Sequence, residues 1–130
     1  MKPERPLMTL CAVTLDCADA VALAAFYEAA TGLVPAAGSG EDFAGLTFPD
    51  GFFLGFQPVP DYQAPKWPGQ EQPQQAHLCF EVDDLDVAEA ALLRLGAAKP
   101  QYQPNNEKYR VLADPAGHPF CLATTKSMRK

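Results

Sequence analysis

Apolar and polar positions change their spacing several times along this chain, and the changes come in the same order twice. Residues 9–16, TLCAVTLD, form a short run of β-branched and apolar side chains that predicts a strand. Asp19 then stands where a helix cap belongs, and Val21, Leu23, Phe26, Tyr27 and Ala30 recur at helical spacing until Gly32 stops the helix. Three strands are predicted after it, near residues 33–37, 43–48 and 52–57, separated by Gly38-Ser39-Gly40 and Pro49-Asp50-Gly51. The second series begins with a strand over 76–82. Asp84 caps a helix on which Leu85, Ala88, Leu92 and Leu95 recur, and Gly96 ends it. Strands near 98–103, 109–113 and 120–124 complete the series, with Asn105-Asn106-Glu107 as one turn. Asp114-Pro115-Ala116-Gly117 is the other, with Pro at the second and Gly at the fourth place of a type I turn.

The two series superimpose. Leu15-Asp16-Cys17-Ala18-Asp19 lies over Phe80-Glu81-Val82-Asp83-Asp84, and the turn before Phe52 lies over the turn before Phe120. Between them residues 58–75 carry five prolines and the only tryptophan, Trp67, which excludes a helix and disfavours a central strand. The expected architecture is α+β: two tandem βαβββ modules, about 8–58 and 76–125, joined by a proline-rich crossover at 58–75 within one domain of residues 1–130. Neither unit is large enough to be stable alone, so their curved mixed sheets are expected to pack together around a cleft. Residues 1–7 and 126–130 read as polar tails.

Composition narrows the function. A hydrophobic share of 48% and a charged share of 20% are those of a globular protein, and a net charge of −6 leaves no basic surface for nucleic acid. No apolar run reaches the length of a membrane span, and the N-terminus lacks a signal-peptide core, so a cytoplasmic location is expected. The four cysteines, Cys11, Cys17, Cys79 and Cys121, have no CxxC spacing; each is expected to be a small buried apolar residue.

Three motifs, FYEAATGL (26–33), HLCFEVDDLDVAEAALLRLGA (77–97) and VLADPAGHPFCL (111–122), resemble the vicinal oxygen chelate superfamily, which includes glyoxalase I, extradiol dioxygenases and bleomycin-resistance proteins. The likeness covers about residues 8–125 and is nearest to the glyoxalase-like domain branch. Metal-dependent members of that superfamily place His or Gln, Glu, His and Glu on the first and last strands of each module. Carried onto this chain, those positions fall at Ala12, at Gly55 or Gln57, at His77 and at Cys121. One of the four matches, a thiol stands in place of another, and neither carboxylate is present.

The resemblance therefore implies a small-molecule-binding protein without the inherited metal site, its ligand a metabolite or antibiotic held in the cleft. No cofactor is expected. His77 is the candidate catalytic residue, as a cavity-wall imidazole able to exchange hydrogen bonds or protons near neutral pH; a structural histidine satisfied by backbone or by Glu81 is its alternative. Ligand-binding candidates are His77, Cys121, Gln57, Phe53 and Thr14, the last three by strand parity, and Trp67, either as a lid that stacks on a planar ligand or as an anchor of the crossover to the body. Cys121 reads as a packed thiol ahead of a nucleophile. The alternative function is a glyoxalase-like lyase or isomerase using His77 as acid–base, or an irregular Zn, Ni or Fe site of His77, Cys121 and Gln57. Alternation also places Cys79 and Glu81 on the face of His77. A homodimer is the expected assembly, as in many members of the superfamily.

Overall fold

The structure is a computed structural model that describes residues 5–124. Its element order is β1 (Ala12–Cys17), α1 (Ala20–Thr31), β2 (Val34–Pro35), β3 (Ala44–Thr47), β4 (Phe53–Pro58), β5 (Leu78–Glu81), α2 (Leu85–Leu95), β6 (Tyr109–Ala113) and β7 (Pro119–Ala123). This is an α+β fold with two mixed sheets, a four-stranded one ordered β1-β4-β3-β2 and a three-stranded one ordered β5-β7-β6. In each, the module's first strand runs parallel to its last, Ala12 opposite Phe53 in one and Leu78 opposite Phe120 in the other. The pairing matches two βαβββ modules.

Both helices begin and end by the chemistry read from the sequence. The Asp19 carboxylate accepts from the Ala22 N–H at 3.0 Å, and Asp84 accepts from Val87 at 3.0 Å, each satisfying an amide with no helical partner. Gly32 and Gly96 close the helices in the left-handed region, at φ 73° and 119°. On α1 the buried residues are Ala20, Leu23, Phe26 and Tyr27, whereas Val21 and Ala30 are exposed although they fit the helical period. Leu95 on α2 is likewise 42% exposed.

The second module departs from its expected strand count. The strand predicted near 98–103 is reduced to an isolated bridge between Ala98 and Ala113. Pro100 removes a backbone donor there, and the Gln103 side chain replaces the missing ladder: its amide donates to Pro100 O and Val111 O, and its carbonyl accepts from Val111 N. The strand expected at 33–37 is only two residues long for a similar reason, since Pro35 sits within it. The tail expected at 126–130 lies outside the described residues, as do residues 1–4 of the other.

The buried cluster joins side chains of both modules. Tyr27 on α1 stacks on Phe56 of its own sheet, centroids 5.6 Å apart, and meets Phe80 and Phe120 of the second sheet at 6.2 and 6.1 Å. Its hydroxyl donates to the Asp114 carboxylate at 2.7 Å, across 87 residues of sequence. Asp114, 4% exposed, also accepts from the Ala116 and His118 amides. The His118 ring bonds Asp16 O and the Tyr62 hydroxyl, which in turn donates to Ala116 O. The Asp-Pro-Ala-Gly turn is thus the bolt between modules as well as a strand connection. Gly117 within it has φ +91°, and an added Cβ would stand 2.8 Å from the Ala64 methyl of the crossover, so only glycine fits.

Candidate functional site

Helices cover one face of each sheet, and the candidate chemistry lies on the other faces. On the first sheet Gly45 and Gly55 stand opposite each other in register, and a Cβ on Gly45 would fall 2.1 Å from the Phe53 ring. The two glycines form a flat floor on which Phe53 and Phe43 lie stacked, centroids 5.8 Å apart. Thr14 reaches the same floor, its Oγ1 3.0 Å from where a Gly55 Cβ would be. Gln57, further along β4, is exposed and donates to the adjacent Pro58 carbonyl. Gly55 lies beneath the rings and has no side chain to offer a metal.

On the second sheet alternation along β5 and β7 sends Phe80, Phe120 and Leu122 into the core and Cys79 and Cys121 to the opposite face. The parallel register sets Cys79 directly beside Cys121. His77, just before β5, keeps the alternation. One ligand atom from each of these three residues lies within 4.8 Å of the others. They share a cavity of about 480 Å³ with Trp67, Gln74, Lys108, Tyr109 and Val111. Trp67 comes from the crossover, packs on Tyr102 at 5.6 Å and lines the cavity. The Gln74 Oε1 is buried and has no hydrogen-bond partner among the described residues.

The structure brings His77, Cys121 and Trp67 together and leaves Thr14, Phe53 and Gln57 on the other sheet. The cavity is therefore walled by the second sheet and the crossover. Cys79, Gln74 and Tyr109 are members that the sequence reading did not select. Cys79 was legible by alternation from His77; Gln74 was not, because nothing in an irregular proline-rich segment sets side-chain direction. Glu81, expected beside His77, lines a different cavity of about 490 Å³, a crevice between α1 and α2 walled mainly by apolar side chains. The expectation of four buried cysteines holds only for Cys17; Cys11 and Cys79 are exposed and Cys121 is half-buried. The outer sheet faces carry no helix, so a thiol there is at most partly covered, as Cys121 is.

Burial, and after it the neighbouring Cys79 thiol, pushes the Cys121 thiol up to about 11. It is therefore neutral near pH 7, which disfavours a nucleophilic role. His118 is committed to the bolt between modules and stands outside the cavity lining. Among the described residues no Asp or Glu lines the cavity. The metal set of the oxygen-chelating relatives does not fit these residues, since Ala12 and Gly55 offer no ligand atom and a thiol replaces the last carboxylate.

Comparison with known proteins agrees with this architecture. The chain superimposes on the structure of a possible glyoxalase from Bacillus cereus with a TM-score of 0.67 and 23% identity, covering 90% of this chain and 99% of that one. A glyoxalase/bleomycin resistance protein/dioxygenase family enzyme from Burkholderia phytofirmans PsJN gives 0.68 and 20%, covering 90% and 98%. A lactoylglutathione lyase from Agrobacterium tumefaciens gives 0.62 and 21%, covering 94% and 97%. No curated protein sequence matches the chain. At these identities the structural likeness establishes the fold. A sequence-family match, described as a glyoxalase-like domain, runs over residues 12–123, from the first strand to the last. The chain is accordingly a member of the glyoxalase-like domain family, within the vicinal oxygen chelate superfamily.

Proposed function

We propose that the protein binds a small, partly aromatic molecule in the cavity of its second sheet and does so without the four-ligand metal centre of its oxygen-chelating relatives. The observation that carries this reading is the composition of the cavity. Its volume of about 480 Å³ is in the range of small-molecule sites, and it is largely apolar with a few polar groups. Trp67 and Tyr109 offer aromatic faces, and the unpartnered Gln74 Oε1 calls for an N–H or O–H donor on the ligand. Lys108 among the lining residues favours a ligand with an anionic group.

The test is a thermal-shift screen of small aromatic acids and antibiotics, run in the presence of a chelator. At least one ligand is expected to stabilise the wild type, and Trp67→Ala is expected to weaken that ligand about tenfold or more, the loss of one stacked ring and its area. A panel with no stabilising member, or equal stabilisation of Trp67→Ala, overturns the reading.

A lyase or isomerase with His77 as acid–base is the competing reading, supported by the position of His77 on the cavity wall and by the name of the Agrobacterium relative. Turnover of a glutathione hemithioacetal that disappears in His77→Ala would favour it over binding alone.

A homodimer is part of the proposal. Leu7, Met8 and Leu10 are 98%, 84% and 74% exposed just ahead of β1, and β1 and β5 are both sheet edges with unpaired backbone groups. A second copy would cover both features. Among the described residues no helix is long and apolar enough to cross a membrane.

A further inference from the structure

The cluster of His77, Cys79 and Cys121 has chemistry that the binding reading does not use. Two thiols and an imidazole are soft and borderline ligands, the set that selects zinc over the oxygen-seeking metals. Three separate features place them together. The parallel register of β5 and β7 sets Cys79 beside Cys121, strand alternation sets His77 on the same face, and that face is the one without a helix. Their ligand atoms lie within 4.8 Å of one another. Around a tetrahedral zinc, Zn–S bonds of about 2.3 Å and Zn–N bonds of about 2.0 Å put neighbouring ligands roughly 3.5–3.8 Å apart. The gap is within reach of side-chain rotation, because His77 and Cys79 are exposed on the cavity wall and Cys79 already hydrogen-bonds the Cys121 thiol.

We propose that His77, Cys79 and Cys121 form a three-ligand site for zinc, with the fourth position open to the cavity. This set differs from the superfamily's own. It adds Cys79, takes no ligand from the first module, and contains no carboxylate. Binding converts two S–H groups to two Zn–S bonds and releases two protons to solvent. The thiolates then balance the charge of the ion, so the site suits an apolar cavity. The open position would accept a donor atom from a ligand in the cavity, but the site does not depend on that ligand being found.

The experiment uses the whole chain, fully reduced and freed of metal. Zinc is titrated against a competing chromophoric chelator, and cobalt(II) is used as a spectroscopic probe. One equivalent of zinc is expected to bind. Cobalt is expected to show thiolate charge-transfer absorption and the intense visible bands of tetrahedral coordination. Cys79→Ser and Cys121→Ser should each remove much of the charge-transfer absorption and weaken zinc at least a hundredfold, and His77→Ala should weaken it by a similar factor. Cys11→Ser, which changes an exposed thiol outside the cluster, should change nothing. Circular dichroism on the variants checks that they fold. A reduced wild type that takes up no stoichiometric zinc overturns the site without recourse to any variant. So does a cobalt spectrum that survives in Cys79→Ser and Cys121→Ser but falls in Cys11→Ser. Because the ligand screen is run in chelator, either result leaves the small-molecule reading to stand or fall separately.

Discussion

Tyr27 and Asp114 show how much a single polar pair does in this protein. The sequence places the tyrosine at an apolar-periodic position of a helix, and Asp114 in a turn. The structure makes each the answer to the other. Burial raises the Asp114 carboxyl, and the hydrogen bonds from Tyr27, His118 and Ala116 oppose it without reversing the direction. Its folded pKa therefore stands above the unfolded one. Its favourable contribution is fully present below the unfolded value, near pH 4, and is lost as pH rises through the folded value. Tyr27→Phe removes one of the opposing bonds and raises the folded value further. The expected result is a loss of about 1–3 kcal/mol at pH 7, shrinking as the pH approaches 4, read from urea unfolding at the two pH values. A loss independent of pH would mean that the hydroxyl stabilises the neutral and the ionised carboxyl alike, because the variant keeps the ring.

Between elements, the tie of α2 to β6 is ionic where the tie of α1 to the sheets is aromatic. Arg110 on β6 reaches Glu89 at 2.9 Å and Asp86 at 2.9 Å, both on α2, and Lys99 reaches Glu89 at 3.1 Å. Burial raises the Glu89 carboxyl, but the hydrogen bonds from Arg110 and Lys99 outweigh it and hold the group below the usual carboxylate range. Here the sign is opposite to that of Asp114. The stabilisation is present above the unfolded pKa, about 4.3, and is lost as pH falls through the folded value. Glu89→Gln is expected to cost about 1 kcal/mol at pH 7 and little at pH 3, because the pair is only partly withdrawn from water. High salt should reduce the cost at pH 7 in the same denaturation measurement. Equal costs at both pH values would assign the loss to packing of the side chain.

At the scale of the whole molecule, the sheet edges and the apolar approach to β1 are the features a partner copy would cover. A dimer buries of the order of 1,200–2,000 Å² in total, and two sheet edges with three apolar side chains per copy are a reasonable nucleus for that. Light scattering after size exclusion is expected to give twice the chain mass, and Leu7→Asp combined with Leu10→Asp is expected to shift it toward the monomer. A wild type that elutes as a monomer at micromolar concentration would remove the dimer from the proposal.

Local chemistry decided most of the architecture. Helix caps at Asp19 and Asp84, glycine stops at Gly32 and Gly96, and the turn at Asp114 act over a few residues, and their effect does not depend on what packs nearby. The repeat followed from the same signals, and so did the sharing of one strand face by His77 and Cys79, because side chains alternate wherever a strand forms. The placement of the candidate site did not follow. Parity could assign Thr14, Phe53 and Gln57 to a face, but not say that this face would stand apart from the cavity that holds His77. That depends on how two modules dock, and docking is set by long-range contacts such as Tyr27 with Asp114, 87 residues apart. The same holds for Trp67 and Gln74, whose directions come from a crossover with no periodicity to read. What began as one histidine and a thiol at separated positions becomes a three-residue cluster because parallel pairing of β5 with β7 brings Cys79 and Cys121 side by side.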